Sequence, residues 1–157
     1  MADLDIPSLE EWAGGSGMLR RLTTRFYARV AADDLLGPVF AGMDPSHAER
    51  VASFLTEVLG GTPVYTAGGG SHARMIRRHM GRHLTEPQRR RWMTLMLDTA
   101  DEVGLPVDPE FRASFTGYLE WGTRIAVRDS QDGRADPAAD LPMPHWTWSS
   151  PGGPAEP

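Results

Sequence analysis

The sequence contains no cysteine, and that absence excludes several kinds of site at once. Disulfide bonds, cysteine-ligated zinc, iron–sulfur clusters and thiol catalysis all require this residue. Any metal chemistry in this chain must therefore use histidine, carboxylate or tyrosine ligands.

The chain also lacks an apolar run long enough to span a membrane, and its acidic start, M-A-D-L-D-I-P, is unlike a signal peptide. A formal net charge of −5 argues against nucleic-acid binding, so the basic cluster between Arg74 and Arg91 is interpreted as a solvated helix flank. We expect a cytoplasmic protein with neither a membrane nor a nucleic-acid partner. Its 157 residues fit one compact domain.

Strand patterns are nearly absent, whereas apolar residues recur at three- and four-residue spacing between glycine and proline breaks. This pattern predicts an all-α fold, with a short first element around residues 9–12 and an irregular loop over residues 62–70. The longer helices are predicted from their N-caps, which are Ser16, Asp44 followed by Pro45, Thr85 with Gln88 in a capping box, and Asp108 followed by Pro109. Glycines are expected to end the second and third of these helices, at Gly60-Gly61 and near Gly104.

The composition changes at about residue 129, where proline, glycine and aspartate become frequent. Such a segment cannot form a packed unit of its own. We therefore predict a helical domain over residues 1–128 and an irregular Pro/Gly-rich C-terminal tail over residues 129–157. Its Trp146 and Trp148 are expected to pack on the domain surface or on a neighbouring subunit of a homodimer, and the alternative is a docking motif for another partner.

The stretch S-H-A-R-M-I-R-R-H-M-G-R-H, residues 71–83, raises the question of what His79 does. In a helix it shares one face with Met75 and Ile76. The residue pattern alone leaves two readings open, a hydrogen-bonded half-buried histidine or a metal ligand. His79 and His83 could share zinc from one helix, but no further ligands accompany them.

A planar cofactor would need an axial ligand, a wide apolar slot and a few hydrogen-bond donors. The chain can supply each of these from separate helices. The ligand would be His79, the slot walls Phe40, Val51 and Phe54, and the donors Tyr27, His47 and Trp92.

Four segments in this order resemble a truncated haemoglobin of group II. They are R-F-Y-A-R-V-A-A-D-D-L-L-G-P-V-F, F-L-T-E-V-L-G-G-T-P-V-Y-T, S-H-A-R-M-I-R-R-H and the helix that carries Trp92. The resemblance covers about residues 8–128 and leaves out the tail. It implies a two-over-two α-helical sandwich around haem b, iron protoporphyrin IX.

The resemblance also implies roles for individual residues. His79 matches the proximal iron ligand, Tyr27 and Trp92 match donors to bound dioxygen, Phe40 matches the aromatic wedge on the macrocycle, and Val51 and Phe54 match apolar pocket positions. Met75 lies one turn before His79, and the propionates are expected to pair with an arginine among Arg74, Arg77 and Arg78. His72 and His83 are assigned to the surface.

Two positions depart from the family pattern. His47 stands where group II proteins often have a small residue, so it can donate a third hydrogen bond, gate entry or serve as the sixth iron ligand. After His79, M-G-R replaces a more apolar turn.

Three functions follow as expectations. The first is reversible binding of dioxygen, nitric oxide or carbon monoxide, with release slowed by the distal donors. The second is redox catalysis, as a nitric oxide dioxygenase or a peroxidase-like enzyme that depends on an external reductase. The third is a cofactor-free helical interaction module.

Overall fold

The computed structural model describes residues 5–150 and 152–154. Within those ranges the chain forms seven helices and no strand, which confirms the all-α prediction. The helices are α1 (Leu9–Ala13), α2 (Ser16–Ala32), α3 (His47–Val58), α4 (Val64–Ala67), α5 (His72–His79), α6 (Glu86–Val103) and α7 (Pro109–Asp129).

Four of these helices form a sandwich around the core. Helix α2 packs on α3, α6 packs on α7, and the two pairs meet where α2 contacts α6. This is the two-over-two arrangement that the resemblance implied. The core contains the fully buried side chains of Phe26, Met96, Phe111 and Phe115. Burying a side chain of this size stabilises the fold by about 1.5–3 kcal/mol.

Glycines let the chain turn sharply where helices end. Gly14 and Gly15, between α1 and α2, have φ values of 110° and 88°, which residues with a side chain rarely adopt. Gly60, just after α3, has a φ of 95°, and a Cβ added there would lie 2.9 Å from the Cβ of Ser8. The predicted end of α3 is therefore confirmed. The absence of a side chain at Gly60 lets Ser8, which precedes α1, lie close to the end of α3.

The starts of α6 and α7 are also as predicted. The Thr85 hydroxyl accepts a hydrogen bond from the Gln88 amide at 3.3 Å, and the Gln88 side chain accepts one from the Thr85 amide at 2.9 Å. Asp108 caps α7 by accepting from the amide of Phe111 at 2.9 Å. Its other carboxylate oxygen accepts from the Trp12 indole at 2.9 Å, which ties α1 to α7.

Three local predictions were wrong. Ser16 is the first residue of α2 and not its cap, because the left-handed Gly15 immediately precedes the helix. Helix α3 begins at His47, since Asp44 accepts hydrogen bonds from the amide and hydroxyl of Ser46 and so forms a turn before the helix. The predicted loop over residues 62–70 contains α4, which is held by the burial of Tyr65.

Over residues 130–150 and 152–154 the tail forms no helix, and it runs back over the domain. The Trp146 amide donates to the Val58 carbonyl at 2.8 Å, and the Trp148 indole donates to the Pro7 carbonyl at 2.8 Å. Both tryptophans thus contact the domain surface of the same chain. Across the described ranges, no helix combines the length and the apolar character that a membrane span requires.

Candidate functional site

A cavity of about 440 Å³ lies between α2, α3, α5, α6 and α7. Its volume is in the usual range for ligand pockets, about 300–1,000 Å³. Nine of the residues that the sequence suggests for the site line this one cavity, namely Tyr27, Phe40, His47, Val51, Phe54, Met75, Arg78, His79 and Trp92.

His79 is the last residue of α5, the short helix on one side of the cavity. The helix begins after Ser71, whose hydroxyl accepts a hydrogen bond from the Arg74 amide at 3.1 Å. It ends at His79 because Met80 has extended backbone angles, φ −58° and ψ 133°. The His79 imidazole therefore lies at the C-terminus of α5, where the change in backbone angles at Met80 ends the helix.

The environment of His79 suits a metal ligand. Burial lowers the pKa of its imidazole, and a hydrogen bond with the backbone of Met75 opposes part of this shift. The ring is consequently neutral at physiological pH. A neutral imidazole with one nitrogen bonded to the backbone keeps the other nitrogen free for a metal.

Tyr27 of α2 and His47 of α3 form a hydrogen-bonded pair in the cavity. The Tyr27 hydroxyl lies 3.1 Å from His47 Nε2, and the two rings meet edge to face with centroids 4.8 Å apart. Which group donates depends on the His47 tautomer. These residues were expected as separate donors, and the structure brings them into direct contact.

Both members of this pair are uncharged at neutral pH. Burial raises the pKa of Tyr27 above its ordinary value, so its phenol stays protonated and able to donate. Burial, followed by the positive charges of Arg50 and Arg78, lowers the pKa of His47 to about 4. The cavity therefore offers neutral donors rather than fixed charges at this position.

Aromatic side chains define the walls of the cavity. The half-buried Trp92 of α6 packs edge-on against Phe26 with centroids 5.0 Å apart. Phe40 meets the Tyr27 ring at 5.8 Å, and Phe54 meets Tyr65 at 5.2 Å. T-shaped pairs of this kind stabilise ring positions by about 0.5–1.5 kcal/mol each beyond area burial. The slot is thus held in shape by interlocking rings.

The three arginines near His79 differ in their surroundings. Of the three candidates near His79, only Arg78 lines the cavity. Arg77 pairs with Asp136 of the tail at 3.4 Å, and Arg74 donates to the Gly69 carbonyl at 2.6 Å.

Arg50 is a functional candidate that the sequence reasoning missed. It lines the cavity, and its Nε is a buried donor without a hydrogen-bond partner among the described residues. Its spacing from His47 and Phe54, three and four residues away on α3, was the signal that could have revealed it.

His72 was wrongly assigned to the surface. It is half-buried, lines the cavity and lies beside Trp121, with ring centroids 6.5 Å apart. His83 is exposed, as expected, and contacts Asp132.

The residues present fit a haem. A large slot with aromatic walls suits a planar macrocycle, the neutral imidazole of His79 suits an axial ligand, and the unpartnered Nε–H of Arg50 suits a propionate carboxylate. An α-helical sandwich whose cavity combines a neutral imidazole, neutral donors and aromatic walls has the parts that a haem-pocket protein requires.

Comparison with known proteins agrees with this class. The family model of the bacterial-like globins matches residues 8–115. Group 2 truncated hemoglobin YjbI of Bacillus subtilis (strain 168) is 35% identical over 117 residues, which make up 74% of this chain and 86% of that protein.

Two solved structures are similar in fold and sequence. The truncated oxygen-avid haemoglobin from Bacillus subtilis has a TM-score of 0.68 at 34% identity, over 77% of this chain and 99% of that one. The thermostable hemoglobin from the actinobacterium Thermobifida fusca has a TM-score of 0.68 at 29% identity, over 82% of this chain and 100% of that one.

The chain belongs to the bacterial-like globin family and is a haem-binding globin of the truncated, group II type. This membership is at odds with the cofactor-free interaction module. The family match ends at residue 115, so the tail lies outside it.

Proposed function

We propose that this globin holds haem b through His79 and reversibly binds dioxygen, nitric oxide or carbon monoxide beside Tyr27, His47 and Trp92. The observation that carries the proposal is the convergence of these four side chains on one cavity. Membership of the globin family supports the same reading.

The distal residues act as hydrogen-bond donors in this proposal. Haem, when bound, supplies the iron to which the diatomic ligand attaches. The protonated phenol of Tyr27 and the donor-only indole of Trp92 line the cavity, where each can donate to partial negative charge on the ligand. Charge-assisted hydrogen bonds are stronger than neutral ones, so these donors slow escape of a polarised ligand.

The remaining cavity residues hold the cofactor and exclude water. The side chains of Phe40, Val51 and Phe54 provide apolar walls for the macrocycle. Arg50 and Arg78 carry guanidinium groups at the cavity, where each can pair with a propionate carboxylate.

A matched pair of histidine variants tests the assignment of His79. We expect His79→Gly to lose the ferrous and carbon monoxide absorption bands of the wild type when offered haemin, and added imidazole to restore them. His83→Gly removes an exposed side chain of the following turn but keeps its backbone hydrogen bond to Ser130, so the positions of the wild-type absorption bands should be retained. Unaltered haem uptake and spectra in His79→Gly without imidazole would contradict the proposal.

The Tyr27–His47 pair also favours a second function, redox catalysis. A half-buried histidine bonded to a phenol can relay a proton between solvent and the ligand site. In the nitric oxide dioxygenase reaction, nitric oxide, dioxygen and one electron give nitrate, and an external reductase must supply that electron. Mixing the dioxygen-bound protein with nitric oxide should yield stoichiometric nitrate; its absence would rule this function out. Peroxidase-like turnover would place His47 in the same proton-carrying role.

A further inference from the structure

Helix α5, which carries His79, has little support within the sandwich. Its eight residues include only one fully buried side chain, that of Ala73, and it packs on α7. A helix this short is marginal on its own, so its position depends on what contacts it. The position of the proposed iron ligand depends on the same contacts.

The tail supplies a second set of contacts along α5. Arg77 Nη2 donates to the Pro137 carbonyl at 3.3 Å, and Arg77 Nε lies 3.4 Å from an Asp136 carboxylate oxygen. At the first residue of the helix, His72 Nδ1 lies 3.2 Å from the Pro142 carbonyl oxygen. The tail therefore runs beside the helix and bonds to it at both the first and the last turn.

The turn that follows His79 is tied to the start of the tail. The His83 amide donates to the Ser130 carbonyl at 3.0 Å, and the Leu84 amide donates to the Ser130 hydroxyl at 2.9 Å. His83 Nε2 also lies 2.7 Å from an Asp132 carboxylate oxygen. The chain is thus held on both sides of the proposed ligand.

Two tryptophans anchor the far end of the tail. The Trp146 ring packs on Tyr118 and Trp121 of α7 with centroids 5.5 Å and 5.6 Å away, and Trp148 packs on Trp12 at 6.0 Å. Exposed ion pairs such as Arg77–Asp136 contribute little by themselves, whereas packed indoles contribute more. The anchors therefore determine whether the middle of the tail stays on α5.

We propose that residues 130–148 form a strap that positions α5 and so sets how firmly His79 holds the haem iron. The strap lies outside residues 8–115, the part of the chain that the family model matches. The inference rests on the proposed role of His79. Within it, Trp146 and Arg77 are positioning residues that act through α5.

The first test compares Trp146→Ala with Trp146→Phe in the full-length haem protein. Loss of the anchoring ring, which packs on two aromatic partners, should raise hydrogen exchange of the α5 amides about tenfold, since each aromatic pair contributes about 0.5–1.5 kcal/mol. It should also lower the iron–histidine stretching frequency in the resonance Raman spectrum and speed haem transfer to an excess of an apo-globin acceptor. Trp146→Phe keeps an aromatic ring on Tyr118, so its α5 hydrogen exchange, iron–histidine frequency and haem transfer rate should be close to those of the wild type.

The second test uses two arginines of the same helix, neither of which lines the large cavity. Arg77→Gln removes contacts with the strap, whereas Arg74→Gln removes, among the described residues, a side-chain hydrogen bond to the Gly69 carbonyl. We expect Arg77→Gln to speed α5 exchange and haem transfer about two- to threefold, as suits an exposed pair, and Arg74→Gln to leave both unchanged.

Two outcomes would overturn the inference. One is equal behaviour of the alanine and phenylalanine variants in all three measurements. The other is faster α5 exchange with unchanged iron–histidine frequency and haem transfer, since the tail would then only pack on the helix. Failure of the proposed function is distinguishable, because His79→Gly reports on the ligand while hydrogen exchange reports on α5 whether or not haem is held.

Discussion

The hydroxyl of Tyr27 lies 3.1 Å from Nε2 of His47, so the two polar groups from α2 and α3 are already partners within the cavity. A diatomic ligand must compete with this bond or use the donor capacity that it leaves free. The Trp92 indole N–H has no side-chain or backbone hydrogen-bond acceptor among the described residues, so it is free to donate to a ligand in the cavity.

Removing the phenol should speed release of dioxygen. Tyr27→Phe keeps the ring but loses a donor to a polarised ligand, and bonds to charged groups contribute about 1.5–3 kcal/mol, so the dissociation rate should rise about 10- to 100-fold. Trp92→Phe should act in the same direction. Stopped-flow displacement of dioxygen by carbon monoxide measures both rates, with Tyr65→Phe as the control outside the large cavity. Unchanged rates in both variants would contradict the donor roles.

The pKa of His47 predicts a specific loss of stability in acid. Burial lowers this pKa from 6.5 to about 4, so between these values the unfolded chain binds a proton that the folded chain does not. The contribution of neutral His47 to the free energy of unfolding is therefore complete above about pH 6.5. It decreases as the pH falls, because protonation favours the unfolded chain, and it is fully lost below about pH 4. The free energy of unfolding of the wild type should therefore decrease more steeply than that of His47→Gln between pH 6.5 and 4. Parallel curves over this interval would show that His47 is not buried in its neutral form.

Arg50 should contribute to haem retention. Arg50→Met removes the buried Nε–H but preserves most of the apolar stem, and losing one bond to a carboxylate corresponds to about tenfold faster haem transfer to an acceptor globin. Arg20→Met is the matched control, since Arg20 forms an exposed pair with Glu49 on the same side of the sandwich. Equal transfer rates for the two variants would argue against a propionate contact by Arg50.

The ion pairs of Arg89 with Glu86 and Glu120 should lose different amounts of stability depending on which partner is removed. Its side chain is only 5% exposed, whereas its partners Glu86 and Glu120 are each 42% exposed. Arg89 lowers the pKa of Glu86 to about 2. The double variant Glu86→Gln/Glu120→Gln leaves a buried guanidinium without a counter-charge, whereas Arg89→Met leaves carboxylates that water can reach. Urea denaturation should therefore give a lower midpoint for the double variant than for Arg89→Met. The reverse order would contradict the expected cost of an unpaired buried guanidinium.

The helix caps show which features of the fold local sequence can predict. Thr85 with Gln88 and Asp108 with Pro109 place the starts of α6 and α7, because each cap bond joins residues only three positions apart. The start of α3 was missed, since Asp44 uses its side chain on Ser46 and delays the helix. Helix α4 was missed because its stability comes from burying Tyr65 and not from a local signal. The division at residue 128, the cytoplasmic location and the homodimer stay predictions.

Spacing, caps and residue type by themselves determined the helical class and the order of the main helices, and the order of the motifs suggested candidate side chains for a cofactor site. These features depend on contacts within a few residues, or on motif order, and both can be read from one chain. Only the tertiary structure decided that Tyr27 bonds to His47, that the Arg50 Nε–H is buried without a described partner and that the tail lies along α5. Each of these depends on how elements far apart in sequence pack, and packing is set by the whole core rather than by any local pattern.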